Sequence, residues 1–277
     1  MRGRSPRANM TVATGVLRIV PPELVAARRP HRMLERAVMV NRRTWLIIFS
    51  GFFEPLFYLF SIRIGFGDLV GNVTVGGVSI PYAEFVAPAL MASSAMNGAV
   101  YDSTMNVYFK LKHARLYDAV LSTPMGPADV ALGEIGWAVA RGFLYSIAFL
   151  LSMWALGMVG SPWVVLSLPI CVLIGFAFAA IGMASTTFMR SWADFEYVTA
   201  VTLPLFLFSA TFYPVSSYGD WAWVVQLSPL YHGVALVRAV NLGHFEWAMV
   251  GHVAVLAGLA VAGIVVAARR VGSLLLK

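Results

Sequence analysis

FKLKHARLYDAVLSTPMGPADVALGE, residues 109–134, is a polar, basic segment between two long hydrophobic runs. It opens with Lys110, Lys112, His113 and Arg115, carries a short amphipathic turn in RLYDAVL, and breaks at Ser122-Thr123-Pro124. A bilayer interior does not tolerate such charge and irregular backbone, so the segment has to lie in water at one membrane face. The apolar runs on either side are each near the ~20 residues that cross a bilayer. The chain therefore reads as an all-α integral membrane protein, and this segment as the place where a soluble partner touches it.

Composition agrees. Of 277 residues, 59% are hydrophobic and 12% charged, against about 45–50% and about 25% in soluble domains. The single cysteine, Cys171, lies inside an apolar run, which excludes intrachain disulfides and multi-cysteine metal sites. A net charge of +7 would suit nucleic acid, but ten of the twenty basic residues fall in the first 43 positions, ahead of the first apolar run. That placement fits a cytoplasmic terminus beside anionic lipid, so no nucleic-acid partner is expected.

Residues 1–43 read as a basic cytoplasmic N-terminus with an interfacial amphipathic helix. Met33, Leu34 and Val38 lie among Arg28, Arg29, Arg32 and Arg36, and the part from His31 onward is free of the break at Pro30. Residues 44–277 read as a transmembrane domain of six helices, at about 45–64, 83–101, 135–159, 163–188, 198–212 and 248–268. Between the fifth and sixth, residues 213–247 are aromatic, punctuated by Pro214 and Pro229, and too polar for a simple span. They read as a re-entrant external helical hairpin, two short helices dipping back into the outer leaflet and buried against protein. With both termini inside, seventeen of the twenty basic residues face the cytoplasm, and loop 108–134 with them. The expected location is a membrane crossed several times, with both termini in the cytoplasm.

The chain has no phosphate-binding loop of its own. Such a loop needs Gly-Lys-[Ser/Thr], and none of Lys110, Lys112 and Lys277 follows glycine. ATP and Mg, if used, belong to a partner, and no cofactor is expected in this chain. The metalloprotease HExxH and hydrolase GxSxG patterns are absent. His31, His113, His232, His244 and His252 show no ligand spacing, so no metal site is read from them.

Two charges sit inside spans, Glu54 in the first and Arg141 in the third. An ionised group at such depth is costly and faces protein, water or a counter-charge. Glu54 and Arg141 are expected to approach each other, with Asp102 and Glu134 as competing partners. A register-fixing ion pair is one reading of them, and a proton relay or substrate contact the other. Pro55 should kink the first span. That span is too rich in rings for one face, so Phe53, Phe57 and Tyr58 of the first span, with Phe206, Phe208, Phe212 and Tyr213 at the fifth, are candidates for a substrate path.

Several stretches together resemble the type-2 ABC exporter permeases, closest to the nodulation-factor (lipo-oligosaccharide) and daunorubicin-type branch. FFEPLFYLFSIRIGFGDLV (52–70) looks like the family's first span and exit, and YAEFVAPALMASSAMNGAVYDST (82–104) like its second. ARLYDAVLSTPMGPADVALGEIGWAVARG (114–142) looks like the cytoplasmic loop entering the third span. LFLFSATFYPVSS (205–217) and LSPLYHGVALVRAVNLG (227–243) look like the fifth span and outer hairpin. The resemblance implies a dimer of permeases, with a copy of this chain or a paralogue as the second, on two ABC ATPase subunits. It also implies a coupling helix at about 112–122 that fits a groove on the ATPase. Lys110, Lys112, His113, Arg115, Leu116, Tyr117, Asp118 and Leu121 would form that docking element. One departure is visible: relatives commonly have glycine where this chain has Ala210.

The function so implied is ATP-driven export of an amphipathic solute, a glycolipid or lipo-oligosaccharide first and a hydrophobic drug second. Two other classes stay open on the residues alone. One is a membrane-embedded enzyme on lipid-linked sugars, with Asp102, Glu134 and Arg141 as its reactive set. The other is a proton-coupled secondary transporter working through Glu54.

Overall fold

The computed structural model describes residues 29–41, 53–75 and 77–275. The tail 1–28, residues 42–52, which include the first part of the span predicted at 45–64, and residue 76 lie outside the described residues, as do the side chains of Phe53 and Glu54.

The interfacial helix is α1, Pro30–Asn41. Proline suits a first helical turn, whose N–H groups have no intrahelical partner. Its buried residue, Met33, sits over Gly133, where any Cβ would collide with the Met33 side chain, and Leu34 covers Gly136 one turn on. Val38, Met39 and Val40 stay exposed toward the far end of α1.

Helix α2, Phe53–Ser61, runs on through a widened π turn, Ile62–Phe66, and a last turn, Gly67–Val70. The alternating valines that follow form a hairpin of β1, Asn72–Val75, and β2, Val78–Pro81, paired antiparallel from Asn72↔Pro81 to Val75↔Val78. Helix α3, Tyr82–Tyr101, continues through two more π turns, Asp102–Asn106 and Phe109–His113. The first of these has a local cause. Ser103 and Thr104 donate back to the carbonyls of Ala99 and Val100, at 2.7 and 2.6 Å, and such back-bonding loosens the helical ladder.

Then come α4, Leu116–Leu121; α5, Pro127–Ala155; and α6, Ser167–Thr186, entered by a tight turn, Pro162–Leu166. Helix α7, Phe195–Phe208, is followed by a 3₁₀ stretch, Val215–Trp221, and two further helices, α8, Ala222–Gln226, and α9, Pro229–Leu242. The last helix is α10, Ala248–Leu275. Among the described residues, three helices are long and apolar enough to cross a membrane: Pro127–Ala155, Pro162–Thr186 and Ala248–Leu274. The protein is a multi-pass, helical membrane protein.

The core is built around α6, because its small residues let neighbouring backbones come close. Ser103 of α3's extension packs where a Cβ on Gly182 would sit. Thr186 donates to the Ser103 carbonyl at 3.0 Å. Ile174 fills the space over Gly233 of α9, and Gly263 of α10 rests against Ala180, where a Cβ would come within 2.7 Å of backbone. Helix α7 is the exception. None of its side chains is buried, and Tyr197, Val201, Leu203 and Phe208 are exposed.

Candidate functional site

Residues 109–134 form a short structured unit at the foot of the bundle. Arg115 adopts a left-handed backbone (φ 44°, ψ 35°), uncommon for a residue with a Cβ, and so turns the chain sharply from α3 into α4. At the other end Ser122 and Thr123 bond back to the carbonyls of Ala119 and Val120, and Pro124 follows before another helix begins. The Asp129 carboxylate then accepts from the Gly126 amide at 3.0 Å and the Arg29 amide at 2.8 Å. One acid thus caps α5 and holds the start of α1.

The unit has an inner and an outer face. Lys112, His113, Arg115 and Asp118 are exposed, while Leu116 and Leu121 are half-buried. Tyr117 is 1% exposed, and Lys110 points back to Glu134, its Nζ 2.6 Å from Oε2. Placing Lys110 and Tyr117 on a docking surface is therefore corrected. The period of α4 turns Tyr117 inward with Val120, and a buried carboxylate claims Lys110. Burial first, and the Glu134 carboxylate second, push the Tyr117 phenol well above its ordinary range, so it stays neutral at physiological pH.

Just inside this unit lies a second ion pair. Arg141 Nε is 2.8 Å from Asp102 Oδ2, a close contact without the alignment of a hydrogen bond. Asn106 Nδ2 donates to the other Asp102 oxygen at 2.5 Å. Asp102 and Glu134 are both buried, so each carboxylate is held with a cation against its desolvation cost. Arg141 is thus paired with a residue that competed with Glu54 for it; the Glu54 side chain is outside the described residues.

Above the charges, α2, α3, α5 and α7 enclose a cavity of about 250 Å³. Tyr58 and Phe206 supply rings to its wall, and Ser93, Asn97, Thr199 and Thr202 supply polar groups. The remaining candidate path residues spread out. The Phe212 ring stands edge-on to Phe206 at 5.3 Å, and Phe208 lines a separate groove with Tyr218 and Trp221. Phe57 and Tyr213 are exposed. On the opposite side of α7 a larger, nearly apolar cavity of about 660 Å³ runs between Phe178 and Ile181 of α6 and Val201 and Leu205 of α7.

The ABC-2 type transporter family model matches residues 31–242, from α1 to the end of α9. The chain belongs to the ABC-2 type transporter family. It is 33% identical over 193 residues to Nodulation protein J of Rhizobium leguminosarum bv. trifolii, covering 69% of this chain and 72% of that one. Nodulation protein J of Rhizobium meliloti (strain 1021) is 31% identical over 194 residues, 69% and 72% of the two chains. That of Rhizobium leguminosarum bv. viciae is 29% identical over 224 residues, 79% and 82%. As an ABC-2 permease the chain is a transport subunit of the membrane, and the family implies an ABC ATPase as its partner.

Arg238 lies in α9, within the segment 213–247 that the sequence assigns to an external hairpin. It is buried, donating to the carbonyls of Phe85 at 3.2 Å and Ala210 at 2.7 Å, with its guanidinium 3.8 Å from the Phe85 ring centroid. It thereby ties α9 to the start of α3 and the end of α7. Ala210 presents its carbonyl by adopting a left-handed backbone, φ 57°. Such a conformation costs about 1–2 kcal/mol for a residue with a Cβ, whereas glycine adopts it freely. Ala210→Gly is expected to stabilise the permease by about 1 kcal/mol, seen as a raised thermal midpoint in detergent. A lowered midpoint would show that the buried Ala210 methyl outweighs the backbone strain.

Missed by sequence reasoning were Ser93, Asn97, Thr199 and Thr202. Their signal was present: Ser93 and Asn97 are four apart and Thr199 and Thr202 three apart, so each pair shares one face of an otherwise apolar helix.

Proposed function

We propose that the chain is the permease of an exporter carrying an amphipathic solute outward across a bacterial cytoplasmic membrane, driven by two ATPase subunits that bind ATP and Mg. The observation that carries the reading is the two-faced unit at residues 109–134. Lys110, Tyr117 and Asp129 root it in the bundle, while Lys112, Arg115 and Asp118 are exposed on its outer face. On this reading α4 is the coupling helix, and its outer residues enter a groove on the ATPase.

Six spans then follow the order α2 with the residues before it, α3, α5, α6, α7 and α10, with α8 and α9 as the hairpin in the outer leaflet and both termini in the cytoplasm. The second permease, a copy or a paralogue, covers the α2–α7 side, where Phe57 is 66% and Tyr197 74% exposed. The favoured solute class is a glycolipid or lipo-oligosaccharide, with hydrophobic drugs second. The cavity at Tyr58 and Phe206 supports this, because ring faces suit sugar rings and lipid tails alike and the neighbouring Asn97 and Thr202 offer hydrogen bonds.

The reading is tested by purifying the permease with its candidate ATPase and measuring vanadate-sensitive hydrolysis as amphipathic solutes are added. Co-purification with solute-stimulated hydrolysis is the expected result. A permease that retains no ATPase, and whose solute binding ignores ATP, would contradict it.

A further inference from the structure

We propose that a ring cluster of Tyr108, His113, Trp192 and Phe195 is the joint through which the coupling unit moves α7; this rests on the exporter reading above. Two segments far apart in sequence meet here. Tyr108 and His113 stand at the end of the α3 extension, and Trp192 and Phe195 at the foot of α7. The Tyr108 ring lies edge-on to Trp192 and to Phe195, both at 5.3 Å, and the Trp192 and Phe195 rings are themselves 5.3 Å apart. The His113 ring is 5.5 Å from Trp192 and stacks on Phe109 at 5.6 Å with an interplanar angle of 4°.

Directional bonds fix the same junction. Trp192 Nε1 donates to His113 Nε2 at 3.3 Å, and the Tyr108 hydroxyl donates to the Arg190 carbonyl at 3.2 Å. The Asp194 carboxylate accepts from the amides of Arg190 and Ser191, at 2.6 and 3.1 Å, closing the turn that starts α7. Those two amides hold its carboxyl below the usual carboxylate range, so the turn stays capped through neutral pH.

The helix so held has no buried side chain along Phe195–Phe208. Leu205 and Phe206, toward its far end, pack in part against the core, which leaves the near end to follow whatever grips its foot. Its residues wall the cavities on both sides, Thr199 and Phe206 on one and Val201 and Leu205 on the other, with Thr202 on both. At the far end Ala210 breaks the helix with its left-handed backbone. At the near end His113 is two residues from Arg115, where α4 begins. A push on α4 thus reaches α7 through one turn and one layer of rings, widening one cavity as it narrows the other.

Trp192→Ala is the direct test, made in the full permease–ATPase complex. Trp192 is 47% exposed, so its loss leaves no core cavity, and Phe195→Ala removes the ring that meets both Tyr108 and Trp192. Both variants are expected to assemble with the ATPase and hydrolyse ATP within about twofold of the unsubstituted complex. Solute moved per ATP should fall about tenfold, the scale set by losing several ring pairs. Trp192→Phe keeps the rings and should recover most of that ratio.

A second readout is independent of transport. Labelling of a Thr199→Cys variant should change on trapping with ATP and vanadate, Cys171 being buried, and the change should vanish when Trp192→Ala is added. Transport and hydrolysis falling in proportion, or a labelling change that survives Trp192→Ala, would overturn the joint. An unsubstituted complex that moves no solute with ATP would overturn the exporter reading and the joint with it.

Discussion

Arg141→Ala should destabilise the membrane domain by about 3–5 kcal/mol, the usual cost of removing one member of a buried ion pair. Asp102 is buried, and its Oδ2 lies 2.8 Å from Arg141 Nε. Without the guanidinium, that oxygen keeps its desolvation cost and loses its counter-charge, while Asn106 satisfies only the other oxygen. Asp102→Asn added to Arg141→Ala should therefore recover most of the loss, because a neutral amide needs no counter-ion. The check is the thermal midpoint of the purified permease in detergent for the two single variants and the double. Additive losses, or a single-variant effect below about 1 kcal/mol, would show that the pair carries little and that Arg141 serves another purpose.

The second large effect is expected on activity with the fold intact. Lys112→Glu combined with Arg115→Glu reverses two exposed charges on the outer face of the α4 unit. Lys112 lies outside the helix caps, and Arg115, though at the start of α4, makes no capping bond with its side chain, so the exchange should change stability by less than about 1 kcal/mol. Like charges set against a complementary surface cost several kcal/mol. The variant should keep its thermal midpoint but lose ATPase binding by about 100-fold or more. Lys110→Glu behaves differently on this account, because Lys110 is tied to buried Glu134 and its reversal should lower the midpoint as well. Equal behaviour of the Lys110 and Lys112–Arg115 variants would contradict the division into inner and outer faces.

Much of the architecture was legible from charge and hydrophobic pattern. The break in hydropathy at residues 109–134 marks a real structural unit, α4 with its flanking turns, and the membrane-long apolar helices α5, α6 and α10 fall within or around predicted runs. The valine alternation after Gly71 forms the β1–β2 hairpin. Two features were not legible because tertiary contact decided them. Tyr117 looks like a surface residue of an amphipathic turn until Glu134, seventeen positions on, is folded over it. Arg238 reads as an external charge until the carbonyls of Phe85 and Ala210 and the Phe85 ring surround it.

The ring joint was hidden for a different reason. Trp192 and His113 lie 79 positions apart in two polar loops, and neither loop carries periodicity that would place its rings. The family resemblance did better with the break at Ala210. The departure from glycine pointed to a tight backbone there, and the left-handed φ of 57° is its physical form.

On the proposed function, ATP drives an amphipathic solute outward through this permease. Inside-out membrane vesicles holding the permease and its ATPase, loaded externally with a fluorescent lipo-oligosaccharide and ATP, measure it most directly. The predicted result is vanadate-sensitive accumulation in the lumen that is lost with Lys112→Glu and Arg115→Glu and indifferent to collapse of the proton gradient. Accumulation that needs the proton gradient and not ATP would contradict it.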